Sequence, residues 1–303
     1  MDSHEPIRPS ATPPIGETEA GSSGAGDEAF RVELSCSSSS EHEHNRRAWD
    51  SRVRRRQRFT EPLNDAELGD SRRLADITAW LDRDLQGCRV LCLAAGGGRH
   101  GVLYAAAGAE VTVVDISSEM LRLDREVTAA RGLNVRTIQA SMDAMPMLCD
   151  GEFDLVVQPV STCYIPDVAA VYAEVARVLA NGALYISQHK TPTSLQADLI
   201  PSPSGYELIE PYYRLGPLPD VAESPHREQG MREYLHRWEQ LIGGLCRAGF
   251  VIEDLMEPIH GEPKAPSGSF AHRCCFVAPY VRIKARRIGC QIQASGQSGI
   301  WVP

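Results

Sequence analysis

The sequence lacks the patterns that mark disulfide frameworks and membrane spans. Its nine cysteines are odd in number, scattered, and never spaced as CxxC, and several lie inside apolar runs. Cysteine in such positions behaves as a small hydrophobic residue, which favours a reduced protein. No run of about 18 apolar residues is present, and the first 20 residues carry no apolar core typical of a signal peptide. We therefore expect a soluble, cytoplasmic protein without a membrane partner.

A strong positive charge is also missing. The chain has 31 Lys and Arg against 40 Asp and Glu, a net charge of −9, which argues against wholesale binding of nucleic acid. The exception is local, because residues 45–59 hold seven arginines around Trp49, Val53 and Phe59. These apolar positions suit one face of a helix that docks on the main body, whereas the arginines suit phosphate contacts.

The 303 residues with 43% hydrophobic content suffice for one sizeable core. Composition divides the chain, because residues 1–44 are rich in Ser, Pro, Gly and Glu, and residues 190–230 hold seven prolines. The expected parts are a disordered tail (1–44), an N-terminal helical cap (45–84), a ligand-binding core (85–189), a lid or substrate insertion (190–230), the C-terminal part of the same sheet (231–285) and a loose tail (286–303).

Apolar, β-branched runs alternate with amphipathic segments through the centre of the chain. The predicted strands are residues 90–95, 109–115, 134–140, 153–161, 183–189, 250–258 and 272–285. Successive β-α-β units imply parallel strands with right-handed crossovers. The last two strands have no helix between them and suggest an antiparallel pair. The fold prediction is an α/β, doubly wound, seven-stranded Rossmann-like sheet, mostly parallel with one antiparallel strand near the C-terminus.

A glycine turn follows the first predicted strand. Gly96, Gly98 and Gly101 satisfy the G-x-G-x-x-G pattern, and Asp115 ends the next strand. Glycine lets a ligand approach the backbone, and a carboxylate at that strand end accepts hydrogen bonds from ribose hydroxyls. These residues point to an adenosine-containing ligand and leave NAD and S-adenosylmethionine both open. One reading is therefore an NAD(P)-dependent oxidoreductase.

Five segments in order make a more specific pattern. VLCLAAGGG, VTVVDIS, ASMD, FDLVVQPVS and VYAEVARVLANGALYIS fall between residues 88 and 190. In order and spacing this region resembles the core of a class I S-adenosylmethionine-dependent methyltransferase, of a small-molecule type that carries L-A-x-G-G-G. The resemblance implies S-adenosylmethionine as the cofactor and methyl transfer as the activity.

The resemblance also implies roles for individual residues. Ala94, Gly96 and Gly98 belong to the turn that passes under the cofactor, and Asp115 holds the ribose hydroxyls. Ile116 packs on the adenine, whose edge is contacted by Ser141 and Met142, and Gln158 flanks the transferable methyl group. Three positions depart from the family pattern. Cys92 occupies a position where the family usually has an acid, Ala94 one where it usually has a glycine, and Ser141 one where Asp is common.

Two residues are expected near the acceptor. His189, at the end of the fifth predicted strand, is the predicted general base, and Tyr164 is predicted to wall the acceptor pocket; a structural role is equally open for each. QPVS stands where amino-group nucleic-acid methylases of this fold usually carry N-P-P-Y or D-P-P-Y. The expected partner is therefore a small-molecule acceptor. No metal site is predicted. A further alternative is a non-catalytic nucleotide- or RNA-binding protein that uses Arg46–Arg58 and Arg282–Arg287.

Overall fold

The structure is a computed structural model that describes residues 25–69, 79–81 and 83–288, with side chains from residue 40 onward. The strands are β1 (Arg89–Leu93), β2 (Glu110–Asp115), β3 (Val135–Gln139), β4 (Phe153–Gln158), β5 (Leu179–Lys190), β6 (Phe250–Met256) and β7 (Tyr280–Arg287). The α-helices are α1 (Ala25–Arg54), α2 (Asp65–Leu68), α3 (His100–Ala106), α4 (Ser118–Ala130), α5 (Val168–Val178), α6 (Pro192–Gln196), α7 (Gly244–Arg247) and α8 (Phe270–Arg273). A 3₁₀ turn (Thr162–Tyr164) and a π-helical turn (Glu239–Gly243) complete the described elements.

The seven described strands form one sheet in the order β3-β2-β1-β4-β5-β7-β6. Strands β1 to β5 run parallel, whereas β7 is antiparallel to both β5 and β6. The fold prediction is confirmed, including the antiparallel strand near the C-terminus. Because the parallel strands all end at the same edge, the loops that follow β1, β2 and β4 meet there.

Both faces of the sheet are covered, so its central strands are apolar on both sides. Leu93, Tyr185 and Ile283 pack toward α5 on one face, and Val90, Cys92 and Leu184 pack into a second cluster on the other face. Several helices begin at side-chain caps that the sequence supplies. Ser117 accepts the Met120 N–H at the start of α4, and Asp167 accepts the Ala169 N–H at the start of α5.

Helix α1 begins within the segment predicted to be a disordered tail. Residues 25–44 are helical, and residues 41–45 make contacts with distant parts of the chain that composition does not reveal. Glu41 pairs with Arg232, and Asn45 donates to the Tyr164 carbonyl over 2.9 Å. Residues 1–24 and 289–303, and residues 70–78 and 82 of the predicted cap, lie outside the described residues.

Two C-terminal elements start later than their patterns predict. Strand β7 begins at Tyr280, because α8 and a turn occupy residues 270–276 and Pro279 has no N–H for a strand ladder. The amphipathic run from residue 231 has no regular secondary structure as far as Arg237, and its Tyr234 N–H donates to the Cys163 carbonyl over 2.6 Å. Within the described residues, no helix is long and apolar enough to cross a membrane.

Candidate active site

The turn after β1 has a backbone that favours glycine. Ala94, Gly97 and Gly98 have φ values of +48°, +109° and +73°, in the left-handed region. At Gly96, a Cβ would lie 2.8 Å from the Met120 Cβ and 2.9 Å from Asp115 Oδ2. The turn is therefore pressed against the end of β2 and the start of α4, with no room for a side chain.

Two buried carboxylates hold this turn. Asp115 Oδ2 accepts the Gly96 N–H and Oδ1 accepts the Ser117 N–H, each over 2.9 Å. Asp124, on α4, accepts the N–H groups of Gly97 at 3.0 Å and Gly98 at 3.1 Å. Sequence reasoning found Asp115 but missed Asp124, which lies inside an amphipathic helix and matches no motif.

Burial dominates the electrostatics of both carboxylates. It raises the pKa of Asp115 to about 6 despite the backbone N–H groups that favour the ionised form. It raises the pKa of Asp124 to about 7, and the nearby charge of Asp115 adds to that shift. Each carboxylate is therefore protonated at a pH closer to neutral than an ordinary aspartate is.

Helix α1 is fixed to the same region by a third acid. Asp50 is buried and accepts the Ser117 hydroxyl over 2.6 Å, while Arg46 Nη1 donates to its other oxygen over 2.7 Å. Arg52 pairs with Glu223 over 2.9 Å. Several arginines of the basic stretch are thus neutralised within the fold, which weakens the alternative of an RNA-binding face.

A cavity of about 640 Å³ lies beside the glycine turn. Among its lining residues are seven of the eight predicted to hold the cofactor: Ala94, Gly96, Asp115, Ile116, Ser141, Met142 and Gln158. Gly98 does not line it, since its amide faces Asp124. Gln158 is fixed by its amide donating to the Ser161 hydroxyl over 2.8 Å and by the Tyr185 hydroxyl donating to its oxygen.

His189 does not line the cavity, although Ser187, which it contacts, does. Its ring nitrogens lie 2.8 Å from the Thr162 and Ser187 hydroxyls, and its ring is 6.3 Å from that of Tyr172 on α5. Burial lowers the pKa of His189 to about 3, so the ring is neutral. The residues of β5 that line the cavity are Ile186, Ser187, Gln188 and Lys190.

Tyr164 does line the cavity, as part of a buried charge network. Its hydroxyl donates to Glu228 Oε2 over 2.7 Å, and Lys190 Nζ lies 3.1 Å from the same oxygen. Lys190 also pairs with Glu233, which in turn pairs with Arg227. Burial raises the pKa of Tyr164 well above its usual value, so its hydroxyl stays protonated. Glu233 and its partners were not found from the sequence.

Aromatic side chains close the remaining walls. Trp49 meets Tyr164 edge-on with ring centres 5.6 Å apart, and His260 contacts Phe270 and Tyr280 with ring centres 5.8 and 5.6 Å away. These residues come from α1, from the loop before α8 and from the start of β7. One end of the cavity is formed by Asp115 and the backbone of the glycine turn. The other end is formed by aromatic and polar side chains, including Tyr164, His260 and Tyr280.

Comparison with known proteins agrees with this geometry. Residues 90–182 match the family model described as a methyltransferase domain. The chain is 30% identical over 228 residues to the uncharacterized methyltransferase YbaJ of Bacillus subtilis (strain 168), covering 71% of this chain and 89% of YbaJ.

Solved structures share the fold. An S-adenosylmethionine dependent methyltransferase from Mesorhizobium loti superposes with a TM-score of 0.57 at 21% identity, over 73% of this chain and 100% of that one. Geranyl diphosphate C-methyltransferase from Streptomyces coelicolor A3(2) gives 0.54 at 15% identity, over 82% of this chain and 98% of that one. With the glycine turn, Asp115 and the strand order in place, the chain belongs to the class I S-adenosylmethionine-dependent methyltransferases.

Proposed function

We propose that this methyltransferase acts on a small molecule that it encloses in the cavity beside the glycine turn. The observation that carries the proposal is the enclosure itself, since α1, the 190–238 segment and the region around residues 260–282 all contribute walls. Its volume of about 640 Å³ lies within the range of about 300–1,000 Å³ typical of small-molecule sites. A nucleic acid or protein acceptor would also need a surface around the mouth of the cavity to hold the rest of the polymer.

The residues of the turn fit S-adenosylmethionine, whose sulfonium supplies an electrophilic methyl group when bound. Each oxygen of Asp115 accepts one backbone N–H, which leaves further lone pairs for ribose hydroxyls. The side chains of Ile116 and Met142 line the cavity and offer apolar surface to an adenine, and Ser141 offers a hydroxyl. Gly96 leaves the backbone accessible to the ligand.

The surroundings of Ala94 and Cys92 bear on two of the departures from the family pattern. Ala94 takes the left-handed conformation where the family usually has glycine, at a cost of about 1–2 kcal/mol. Cys92 is fully buried, and burial and the charge of Asp124 raise the pKa of its thiol. We propose that Asp124, which holds two amides of the turn, compensates for the acid missing at position 92.

On the acceptor side, the residues favour positioning over strong base catalysis. Tyr164 keeps its proton and donates a hydrogen bond to Glu228, and His189 is fully buried between the Thr162 and Ser187 hydroxyls and does not line the cavity. Alignment of reacting groups alone supplies about 7–11 kcal/mol of barrier reduction in well-oriented systems. We propose that Tyr164 is a wall that aligns the acceptor, and that His189 is a structural residue.

The experiment supplies S-adenosylmethionine with a tritiated methyl group together with a low-mass metabolite fraction or with total RNA and protein. We expect label in the metabolite fraction, and less of it with Asp115→Asn at the same concentration of S-adenosylmethionine, because the substitution weakens the proposed ribose contact. Label that appears in RNA or protein, and not in the metabolite fraction, would overturn the proposal.

A further inference from the structure

We infer that the methyl acceptor carries an oxyanion, a carboxylate or phosphate ester, that binds the guanidinium of Arg282 at the aromatic end of the cavity. The inference rests on the proposed function, because it places this group in the small molecule that is methylated. It names the chemical class of an acceptor that the family resemblance leaves open.

Arg282 lies on β7 opposite Gln188 of β5, and both residues line the cavity. Its Nε donates to Gln188 Oε1 over 2.7 Å. A guanidinium has five N–H donors in a fixed fork. Among the described residues, no acceptor meets the terminal nitrogens of Arg282, which belong to a side chain on the cavity wall. Four donors are therefore available to a ligand.

The charge of Arg282 is also uncompensated, unlike that of its buried neighbours. Lys190 is paired with Glu228 and Glu233, and Arg227 with Glu233. Within the described part of the chain, Arg282 has no carboxylate within ion-pair distance and contacts only a neutral amide. Burial lowers its pKa, so the protein bears a desolvation cost that a bound anion would offset.

A second polar group beside Arg282 supports the same ligand. The Nε2 atom of His260 is buried and has no hydrogen-bond partner in the described structure. His260 lines the cavity, and burial and the charge of Arg282 lower the pKa of its ring, which keeps it neutral. A neutral imidazole donates one N–H. An oxyanion held by the guanidinium fork has lone pairs left for that N–H.

The surrounding walls indicate the rest of the ligand. Phe270 and Tyr280 pack around His260 on the cavity wall, so the oxyanion is attached to an apolar, ring-sized body. A cationic amine is disfavoured, because the carboxylate of Glu228 on this wall is already neutralised by Lys190. Arginine matches carboxylate and phosphate alike, since both accept two parallel N–H bonds.

The test measures binding by calorimetry with the protein saturated by S-adenosylhomocysteine. The probes are 4-hydroxybenzoate, phenyl phosphate and the neutral 4-hydroxybenzamide. We expect at least one oxyanion probe to bind at least tenfold more tightly than the amide, and the tighter of the two identifies carboxylate or phosphate as the group. No binding of either oxyanion, or equal binding of the amide, would overturn the inference.

Variants assign the preference to Arg282. In Arg282→Gln we expect at least a tenfold loss of oxyanion affinity, and in Arg282→Lys an intermediate loss, because the ammonium keeps the charge without the fork. Arg282→Lys also serves if Arg282→Gln does not fold. The matched control is Lys284→Gln, two residues along β7 and paired with Glu253 over 3.2 Å, which should bind like the wild type. An oxyanion preference retained by Arg282→Gln would contradict the inference.

Binding of S-adenosylhomocysteine separates the two proposals. If the wild type and Arg282→Gln bind S-adenosylhomocysteine equally, the substitution has not disturbed cofactor binding. If the oxyanion probes then show no preference for the wild type, only the inference about the acceptor's oxyanion fails, and the proposed methyltransferase function on a small molecule does not. If the metabolite labelling experiment gives label in RNA or protein, the small-molecule function itself fails.

Discussion

The two ends of the cavity are built from the chain in different ways. The end that we propose for the cofactor, around Gly96 and Asp115, is local, because the bonds from Gly96 to Asp115 and from Gly97 to Asp124 span 19 and 27 residues. The end that we propose for the acceptor, around Tyr164 and Glu228, is assembled from distant segments, since Asn45 and Arg232 are 187 residues apart and Arg52 and Glu223 are 171 apart. A short-range arrangement leaves a motif in the sequence, whereas a long-range arrangement leaves only scattered charges. We therefore predict that a substitution at one end of the cavity leaves the other end intact.

The largest effect is expected at the acceptor end, from Lys190→Met. The substitution leaves Glu228 and Glu233 buried without their shared cation. Removing one partner of a buried ion pair costs about 3–5 kcal/mol, and we expect this loss in the free energy of unfolding from urea titrations followed by circular dichroism. Lys284→Met, at a more exposed pair, should cost less than about 1 kcal/mol. Equal stability of Lys190→Met and wild type would show that the network is dispensable.

Asp115→Asn tests the cofactor end next. The amide keeps one acceptor oxygen and sets an NH₂ group against a backbone N–H that needs an acceptor. Hydrogen bonds to a charged group contribute about 1.5–3 kcal/mol, so S-adenosylhomocysteine should bind roughly 10- to 150-fold more weakly by calorimetry. Asp154→Asn, which loses a partner of Arg89 at the start of β4, should bind normally. Unchanged affinity in Asp115→Asn would exclude a ribose contact at Asp115.

Gly96→Ala places a methyl group against the backbone of the same end. The added Cβ would meet the Met120 Cβ at 2.8 Å, and overpacking of this kind costs about 1–3 kcal/mol. The matched control is Gly69→Ala, where φ is −60° and the nearest atom is the Ala66 carbonyl oxygen at 3.5 Å. Thermal unfolding should show a lower Tm than the wild type for Gly96→Ala, and no such decrease for Gly69→Ala. A wild-type Tm for Gly96→Ala would mean that the turn relaxes freely.

The smallest effect concerns pH at the cofactor end. Burial raises the pKa of Asp115 to about 6, so its carboxylate is ionised at pH 8 and protonated below pH 6. Protonation removes acceptor capacity, and S-adenosylhomocysteine affinity should fall as pH decreases through 6, by about tenfold for each unit below the pKa. The affinity of Asp115→Asn for S-adenosylhomocysteine should depend less on pH. Any pH dependence that remains is attributed to Asp124, whose pKa is about 7. A pH-independent wild type would show that Asp115 does not titrate in this range.

The sequence predicted the mostly parallel sheet and seven of the residues that line the cavity beside the glycine turn, because β-branched runs, a glycine turn and a strand-ending acid have local signatures. His189 shows where such reasoning stops. The cavity is lined by Ser187, Gln188 and Lys190 of β5 but not by His189, and a sequence does not reveal which residues of a strand reach a cavity where both faces of that strand are buried. Arg282 was noticed only as part of a basic run, and Glu228 had no signal, since the role proposed for each depends on neighbours far along the chain.

The distance between Arg52 and Glu223 also has a consequence for synthesis. Chains elongate at about 5–20 residues per second, so a partner 171 residues away is made on the order of 10–30 s after Arg52. During that interval the glycine turn and the first three strands already exist, whereas the part of α1 that walls the cavity lacks the segment that holds it. The Trp49 side chain is therefore synthesised well before the segment that completes the wall of the cavity.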